Sequence, residues 1–289
     1  MSIDDALHAV STIIEAEFPV GSSQATAFFY NQLESKNGNG PQWRTVIETW
    51  LVTNRHALLH PSAQNETPAS LITFNLREYT DAGTLKWVPI ELGSDEWIDR
   101  ALFHPDPFVD IAAIRMSDLI AEGVEAGANY MSTWMLSAEN FAGQNNIDVN
   151  TASDVLVVGY PEGFYDKTNV FPIIKSGVVA SRWGMHFGGN PYFLIDAKLF
   201  PGSSGSLVIS KPTDTVMKNG RMLYSQEKQF ALLGVFSGTY QYAEPPVQVG
   251  NLSISVTAGY DLGIVWYAEH IETTVQKGVP LDQAVTNHA

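Results

Sequence analysis

Three polar residues that could do chemistry stand beside short apolar runs, in the order His56, Asp110 and Ser204. The histidine ends the run at 51–56, the aspartate opens DIA at 110–112, and the serine lies in the loop PGSSGS at 201–206. A serine hydroxyl is a weak nucleophile until a base takes its proton, and that base needs an acceptor that fixes its tautomer. The three residues supply these roles, so the sequence predicts a nucleophilic triad.

The glycine of the serine loop has a chemical use of its own. Gly202 lets the backbone turn so that the N–H groups of Gly202 and Ser204 can point at one oxyanion. In a transition state such donors contribute about 2.7 to 4 kcal/mol each. The loop is therefore predicted to hold an oxyanion hole beside the nucleophile.

The elements that must position these residues are predicted to be strands, because β-branched and aromatic runs alternate with Gly, Asn, Pro and Asp. We expect an all-β fold of two antiparallel six-stranded β-barrels with short N- and C-terminal helices. The predicted divisions are an N-terminal helical extension at 1–20, a first barrel at 21–137, a connector at 138–152, a second barrel at 153–266, and a C-terminal helix and tail at 267–289. The strands are expected at 25–30, 45–53, 71–77, 87–92, 111–116, 155–160, 173–182, 192–199, 207–210, 222–225, 230–237 and 262–266.

Apolar residues at near-helical spacing between Asp4 and Glu17 predict that the N-terminal extension is one amphipathic helix. A second helix is expected after residue 266, packed against the second barrel.

Composition excludes several classes of function. The 289 residues include 31 acidic and 16 basic side chains, for a formal charge of -15, which disfavours binding to nucleic acid and to anionic membranes. The chain has no cysteine, so a disulfide, a thiolate metal site and a cysteine nucleophile are all excluded. No stretch approaches the length of a membrane span, and Met1 is not followed by a basic, apolar leader, so we expect a soluble cytoplasmic protein.

In these motifs the sequence resembles the chymotrypsin-like serine peptidases, most closely their cysteine-free bacterial members of the HtrA-like and trypsin-like type. TNRH at 53–56 resembles the histidine motif, DIA at 110–112 the aspartate motif and PGSSGS at 201–206 the serine motif. GSSQATAFF at 21–29 and VGYP at 158–161 are similar to the strands that open the two barrels. The resemblance covers about residues 20 to 266 and implies a serine endopeptidase with a protein or peptide substrate and no cofactor or metal.

The resemblance also implies a substrate-binding surface and a form of control. Ser237, Gly238 and Thr239 match the strand that lines the specificity pocket, and Lys198 matches the pocket floor, where an ammonium would favour an acidic side chain. Ser203 stands where secreted members carry the acidic residue that pairs with a newly cut N-terminus. Activation by propeptide cleavage is therefore not expected, and control of the loop at 199–203 by a regulatory protein partner is the alternative.

Other interpretations of the same residues are weaker. An α/β-hydrolase would use Ser204 with Asp261 and His270, but that fold needs a helix directly after the serine, and residues 207–210 predict a strand. The nearby His60 and His104 are interpreted as structural, because the metal-binding patterns are incomplete. A protease-fold module that binds without cleaving, and an esterase, remain as alternatives to a peptidase.

Overall fold

A computed structural model of the chain describes residues 3–34, 44–61, 66–79, 85–130, 135–145, 147–162, 164–218, 221–243, 247–249, 252–254 and 257–286. Its helices are α1 (Ile3–Ala9), α2 (Arg55–Leu58), α3 (Ser94–Ile98), α4 (Ser117–Glu125), α5 (Glu269–Lys277) and α6 (Leu281–Thr286). The strands of the N-terminal half are β1 (Ser11–Glu17), β2 (Ser22–Leu33), β3 (Val46–Thr53), β4 (Leu59–Pro61), β5 (Glu66–Pro68), β6 (Leu71–Tyr79), β7 (Leu85–Gly93), β8 (Ala101–Phe103) and β9 (Ala112–Arg115). Those of the C-terminal half are β10 (Asp154–Gly159), β11 (Ile173–Val179), β12 (Tyr192–Asp196), β13 (Leu207–Ser210), β14 (Thr213–Lys218), β15 (Arg221–Gln229), β16 (Leu232–Ala243), β17 (Val247–Val249), β18 (Leu252–Ile254) and β19 (Thr257–Tyr267).

The fold class is all-β, as the sequence predicted, and each predicted strand coincides with an observed one. The second half contains a closed six-stranded barrel in the order β10-β11-β12-β19-β16-β13. The first half is a seven-stranded antiparallel sheet in the order β7-β6-β1-β2-β3-β9-β8, one strand more than predicted. We call these the first and second barrels below. The first barrel contains His56 and Asp110, and the second contains Ser204.

The additional strand of the first barrel corrects the predicted N-terminal helix. Helix α1 ends at Ala9, and β1 pairs with both β2 and β6. The β-branched residues Thr12, Ile13 and Ile14 lose side-chain freedom in a helix but pack well on a sheet. Sheet pairing on both sides of β1 therefore outweighs the helical spacing of its apolar residues. Met1 and Ser2, at the start of this predicted segment, lie outside the described residues.

Strand alternation builds the contact between the two barrels. Successive side chains of a strand point to opposite faces. Phe29 on β2 therefore lies in the core of the first barrel, whereas its neighbour Phe28 packs into a shared cluster with Val158 and Leu207 of the second. On β13, Val208 then points into the core of the second barrel. The two barrels are held together by a continuous apolar layer.

The C-terminal helix bridges the barrels instead of packing on the second one alone. Ile271 and Val275 of α5 are buried in the shared apolar cluster, and Val279 bonds to the backbone of Phe103 on β8. The predicted location of this helix was therefore incomplete. Within the part of the chain that is described, no helix is long and apolar enough to cross a membrane.

Candidate active site

His56, the predicted base, lies just after the end of a strand. Strand β3 ends at Thr53, and the short helix α2 places His56 in its first turn. The two residues before His56 have structural roles. The Asn54 side chain donates from Nδ2 to the backbone carbonyl of Asp110 at 2.7 Å, and Arg55, which is buried, forms an ion pair with Glu66. Both anchor the turn that carries the histidine.

His56 and Asp110 meet through two hydrogen bonds. The backbone N–H of His56 donates to Asp110 Oδ1 at 3.0 Å, and its ring Nδ1 lies 2.6 Å from Asp110 Oδ2. An ionised carboxylate can only accept, so Nδ1 carries the proton and Nε2 of the neutral ring is left as an acceptor. This is the tautomer that a general base for a serine hydroxyl requires.

The carboxylate also sets the protonation of the histidine. Burial on its own would lower the pKa of His56, but the hydrogen bond and the negative charge of Asp110 outweigh it and raise that pKa above 6.5. The imidazole is still 46% exposed, so a substrate can reach it. Asp110 would therefore stabilise an imidazolium formed at His56.

Ser237 has a role that the sequence did not reveal. It was predicted as a substrate-binding residue, and it lies on β16. Its hydroxyl donates to Asp110 Oδ2 at 2.5 Å, and its backbone carbonyl accepts a hydrogen bond from Ser204 Oγ at 3.0 Å. Asp110 thus receives donors from both barrels, and Ser237 links the aspartate to the serine.

The hydroxyl of Ser204 bonds to the second barrel. Among the described residues it donates to the carbonyl of Ser237. The fold does bring the three predicted residues into one hydrogen-bonded group, because Ser237 connects Ser204 to Asp110 and Asp110 holds His56.

The loop before the serine begins with a tight turn. The N–H of Ser203 donates to the carbonyl of Phe200 at 3.1 Å. Pro201 and Gly202 fill the two central positions, and Gly202 has φ = +82°. Proline followed by a residue of positive φ is the pattern of a type II turn, and glycine adopts that conformation without a steric cost.

A second turn follows at once and leaves two donors free. The N–H of Ser206 donates to the carbonyl of Ser203 at 3.0 Å, with Gly205 at φ = +80° inside the turn. The N–H groups of Gly202 and Ser204 donate to no residue in the described part of the chain. They are the two donors that the sequence predicted for an oxyanion hole.

The remaining predicted binding residues lie before and after the serine loop along the chain. Gly238 and Thr239 follow Ser237 on β16, where pairing with β13 has ended and pairing with β19 continues. One edge of β16 is therefore open to an added strand. Lys198 lies between β12 and β13 and is exposed to solvent.

The alternative interpretations do not fit the geometry. The residues after Ser204 form strand β13, as predicted, and not the helix that an α/β-hydrolase requires. Of the histidines considered as ligands, His104 bonds to His270 at 3.1 Å, and His60 is exposed, with its ring centroid 5.5 Å from that of Phe18. In the described ranges no group of three or more His, Asp or Glu side chains could hold a metal ion.

A family model described as a trypsin-like peptidase domain matches residues 35–217, which is more than half of the chain. This range contains all three predicted catalytic residues. The chain therefore belongs to the family of trypsin-like peptidases, and it is a serine endopeptidase of that fold. No curated protein matches it.

Solved structures with similar folds are distant in sequence. The active form of the Rv3671c protease from M. tuberculosis is 16% identical, with a TM-score of 0.46 and coverage of 95% of this chain and 83% of that one. A serine endoprotease from Yersinia pestis is 11% identical, with a TM-score of 0.47 and coverage of 96% of this chain and 66% of that one. The assignment to the family accordingly rests on the family model.

Proposed function

We propose that this peptidase hydrolyses peptide bonds with His56 as the base, Asp110 as the residue that orients it, and Ser204 as the nucleophile. The observation that carries the proposal is the contact of 2.6 Å between His56 Nδ1 and Asp110 Oδ2, because it leaves Nε2 unprotonated and ready to accept a proton. The hydrogen bonds that link Ser204 to Asp110 through Ser237 support the assignment of Ser204 to the same site.

In the first half of the reaction, Ser204 rotates from the Ser237 carbonyl to His56, which takes its proton as Oγ attacks the substrate carbonyl. The resulting oxyanion accepts hydrogen bonds from the free N–H groups of Gly202 and Ser204. Protonated His56 then gives its proton to the leaving amine, the C–N bond breaks, and an acyl-enzyme remains. In the second half, water gives a proton to His56 and attacks the ester, and the proton returns to Ser204 Oγ as the acid leaves.

A protein or peptide substrate would bind as an added strand. The open edge of β16 at 237–239 offers backbone groups to an extended chain, a recognition mode in which main-chain hydrogen bonds supply affinity. Side-chain specificity would come from the cleft beside Gly238 and Thr239. Lys198 is exposed, so we propose that it meets the substrate at the rim of the cleft and does not form the floor of a pocket.

The test is covalent labelling with a fluorophosphonate, followed by digestion of casein. The wild type should be labelled and should cleave casein, and peptide mapping should find the adduct on Ser204. Ser204→Ala should lose both properties. Ser176→Ala, which alters an exposed serine on β11, is the matched control and should keep both. Undiminished labelling of Ser204→Ala would refute the proposal.

A further inference from the structure

The loop that carries the nucleophile is attached to the opposite barrel through Thr26. This residue lies on β2 of the first barrel and is fully buried. Its backbone N–H donates to the carbonyl of Ser204 at 2.7 Å, and its hydroxyl donates to the carbonyl of Gly202 at 3.1 Å. A single residue of one barrel therefore holds two peptide groups of the other.

The hydroxyl of Thr26 is used to its full capacity. A hydroxyl has one proton to donate and two lone pairs to accept with. The proton goes to Gly202, and the oxygen accepts from the N–H of Tyr160 at 2.8 Å and from Ser206 Oγ at 3.3 Å. Thr26 thus ties together the serine loop and the end of β10, two segments that flank the predicted oxyanion hole.

The peptides that Thr26 holds are joined directly to those of the two predicted oxyanion donors. A peptide group is planar and trans, so holding the carbonyl of one residue also orients the N–H of the next. The carbonyl of Pro201 accepts from the N–H of Glu162 at 2.8 Å, which orients the N–H of Gly202. The carbonyl of Ser203 closes the second turn and so orients the N–H of Ser204. Thr26 holds the other two peptides of the loop: Gly202–Ser203, which lies between them, and Ser204–Gly205, which follows them.

The loop has little space in which to compensate for a lost anchor. A Cβ on Gly202 would lie 2.4 Å from the backbone nitrogen of Glu162, and one on Gly205 would lie 2.0 Å from the carbonyl oxygen of Thr26. Without the hydroxyl, the carbonyl of Gly202 and the N–H of Tyr160 would each lose a partner in a buried environment. Such groups are costly to leave unpaired, which favours reorientation of the peptide.

From this arrangement we infer that the Thr26 hydroxyl is a positioning group for the oxyanion hole, because it holds the Gly202–Ser203 peptide, which joins the two peptides that carry the Gly202 and Ser204 N–H groups. The inference rests on the proposed function. It implies that loss of the hydroxyl weakens transition-state stabilisation, and therefore kcat, more than it weakens substrate binding.

The experiment compares three variants of the full chain. Thr26→Val removes the hydroxyl but keeps the side-chain shape and the backbone donor to Ser204. Thr26→Ser keeps the hydroxyl. Thr12→Val is the matched control, because Thr12 is also fully buried, donates to one carbonyl and accepts from the N–H of Asn75, but lies on β1 away from the serine loop. The readouts are kcat and KM for 4-nitrophenyl acetate, the rate of fluorophosphonate labelling, and thermal unfolding.

We expect Thr26→Val to lower kcat and the labelling rate by about 10- to 100-fold, since one complete oxyanion donor is worth about 100- to 1,000-fold. Thr26→Ser should restore most of that loss. Thr12→Val should lose thermal stability to a similar extent but keep the wild-type kcat. If Thr26→Val does not fold, Thr26→Cys replaces it, because a thiol is a weak donor, and the same loss in kcat is expected.

Two different results would overturn the inference. If the wild type is active and Thr26→Val retains its kcat and labelling rate, the hydroxyl is structural only and the proposed function stands. If the wild type and Ser204→Ala react equally in the same assay, the proposed function fails and the positioning role fails with it.

Discussion

Two histidines of this protein, His56 and His270, have pKa values shifted in opposite directions by their partners and surroundings. His56 bonds to the carboxylate of Asp110, and its pKa is raised above 6.5 although burial opposes the rise. His270 bonds to a second imidazole, that of His104, and its pKa is lowered to about 4, first by burial and then by the repulsion of His104. A buried histidine thus keeps its proton only when its partner supplies a negative charge.

The second pair has a defined hydrogen-bond direction. The N–H of Asp106 donates to Nδ1 of His104 at 3.0 Å, so Nε2 of that ring carries the proton and donates to Nδ1 of His270 at 3.1 Å. Nε2 of His270 then donates to the carbonyl of Pro191 at 3.1 Å. His186 also faces His270 and lowers its pKa, and the charge of Asp106 opposes that effect only in part. The neutral form of the pair is therefore the one the fold selects.

The difference predicts opposite effects of pH on the folded state. The pKa of His56 is higher when folded, so its contribution to stability is present below pH 6.5 and is lost as the pH rises through the raised value. The pKa of His270 is lower when folded, so its contribution is present above pH 6.5 and is lost as the pH falls toward 4.

The largest expected effect on activity comes from removing the negative charge of Asp110, the partner of His56. Asp110→Asn should lower kcat by about 10,000-fold, because an amide can hold the wrong tautomer of His56 and cannot stabilise the imidazolium. Initial rates with a casein-derived peptide measure the loss. Asp106→Asn, a carboxylate beside the other pair, is the control and should stay close to wild type. A loss below about tenfold for Asp110→Asn would contradict the assigned role of the carboxylate.

The pH profile of the wild type should follow the raised pKa of His56. Activity requires neutral His56, so kcat/KM should fall about tenfold per pH unit on the acidic limb, with a midpoint above 6.5. The profile should be measured from pH ~5 to ~8, the range in which histidine titrates. A midpoint at or below 6.5 would show that Asp110 does not dominate the site.

A smaller effect should come from the second donor to the same carboxylate. Ser237→Ala removes the hydroxyl that reaches Asp110 Oδ2 and should lower kcat roughly tenfold, since a hydrogen bond to a charged group contributes about 1.5–3 kcal/mol. The acidic limb should move to higher pH, because a carboxylate with fewer donors attracts the His56 proton more strongly. Ser237→Thr should recover activity. An unchanged limb would mean that this hydrogen bond does not tune the base.

The sequence was most informative where the structure is local. β-Branched and aromatic runs between turn residues located the predicted strands, and the motifs around His56, Asp110 and Ser204 predicted the candidate site, because each depends on neighbours along the chain. Strand β1 was missed because its apolar spacing also fits a helix, and only its pairing with β2 and β6 decides between them. The family model confirmed the family that these motifs indicated.

The features that the sequence could not show depend on residues far apart in the chain. The hydroxyl of Ser237 reaches Asp110 across 127 positions, and Thr26 reaches Gly202 across 176. His104 was interpreted as structural, but its partner His270 lies 166 positions away on α5. No local pattern encodes such contacts, because they exist only after the barrels and the C-terminal helix have packed.

The smallest expected effect on activity, and the sharpest test of the comparison, concerns His270. Replacing it in His270→Gln removes the group whose pKa is lowered to about 4. The wild type should lose thermal stability as the pH falls from 6.5 toward 4, because the unfolded chain binds a proton at His270 that the folded chain resists. The variant should be less stable than the wild type at neutral pH but should show a flatter dependence on pH, with kcat nearly unchanged.

Melting temperatures across that pH range measure the effect, and His60→Gln, which alters an exposed histidine, is the control that should keep the wild-type slope. Parallel slopes for the wild type and His270→Gln would mean that the acid sensitivity has another source. If instead the slope flattens while the acidic limb of kcat/KM stays in place, the two pairs titrate independently. The carboxylate beside His56 then controls the pH dependence of catalysis, and the buried His270 controls the loss of stability in acid.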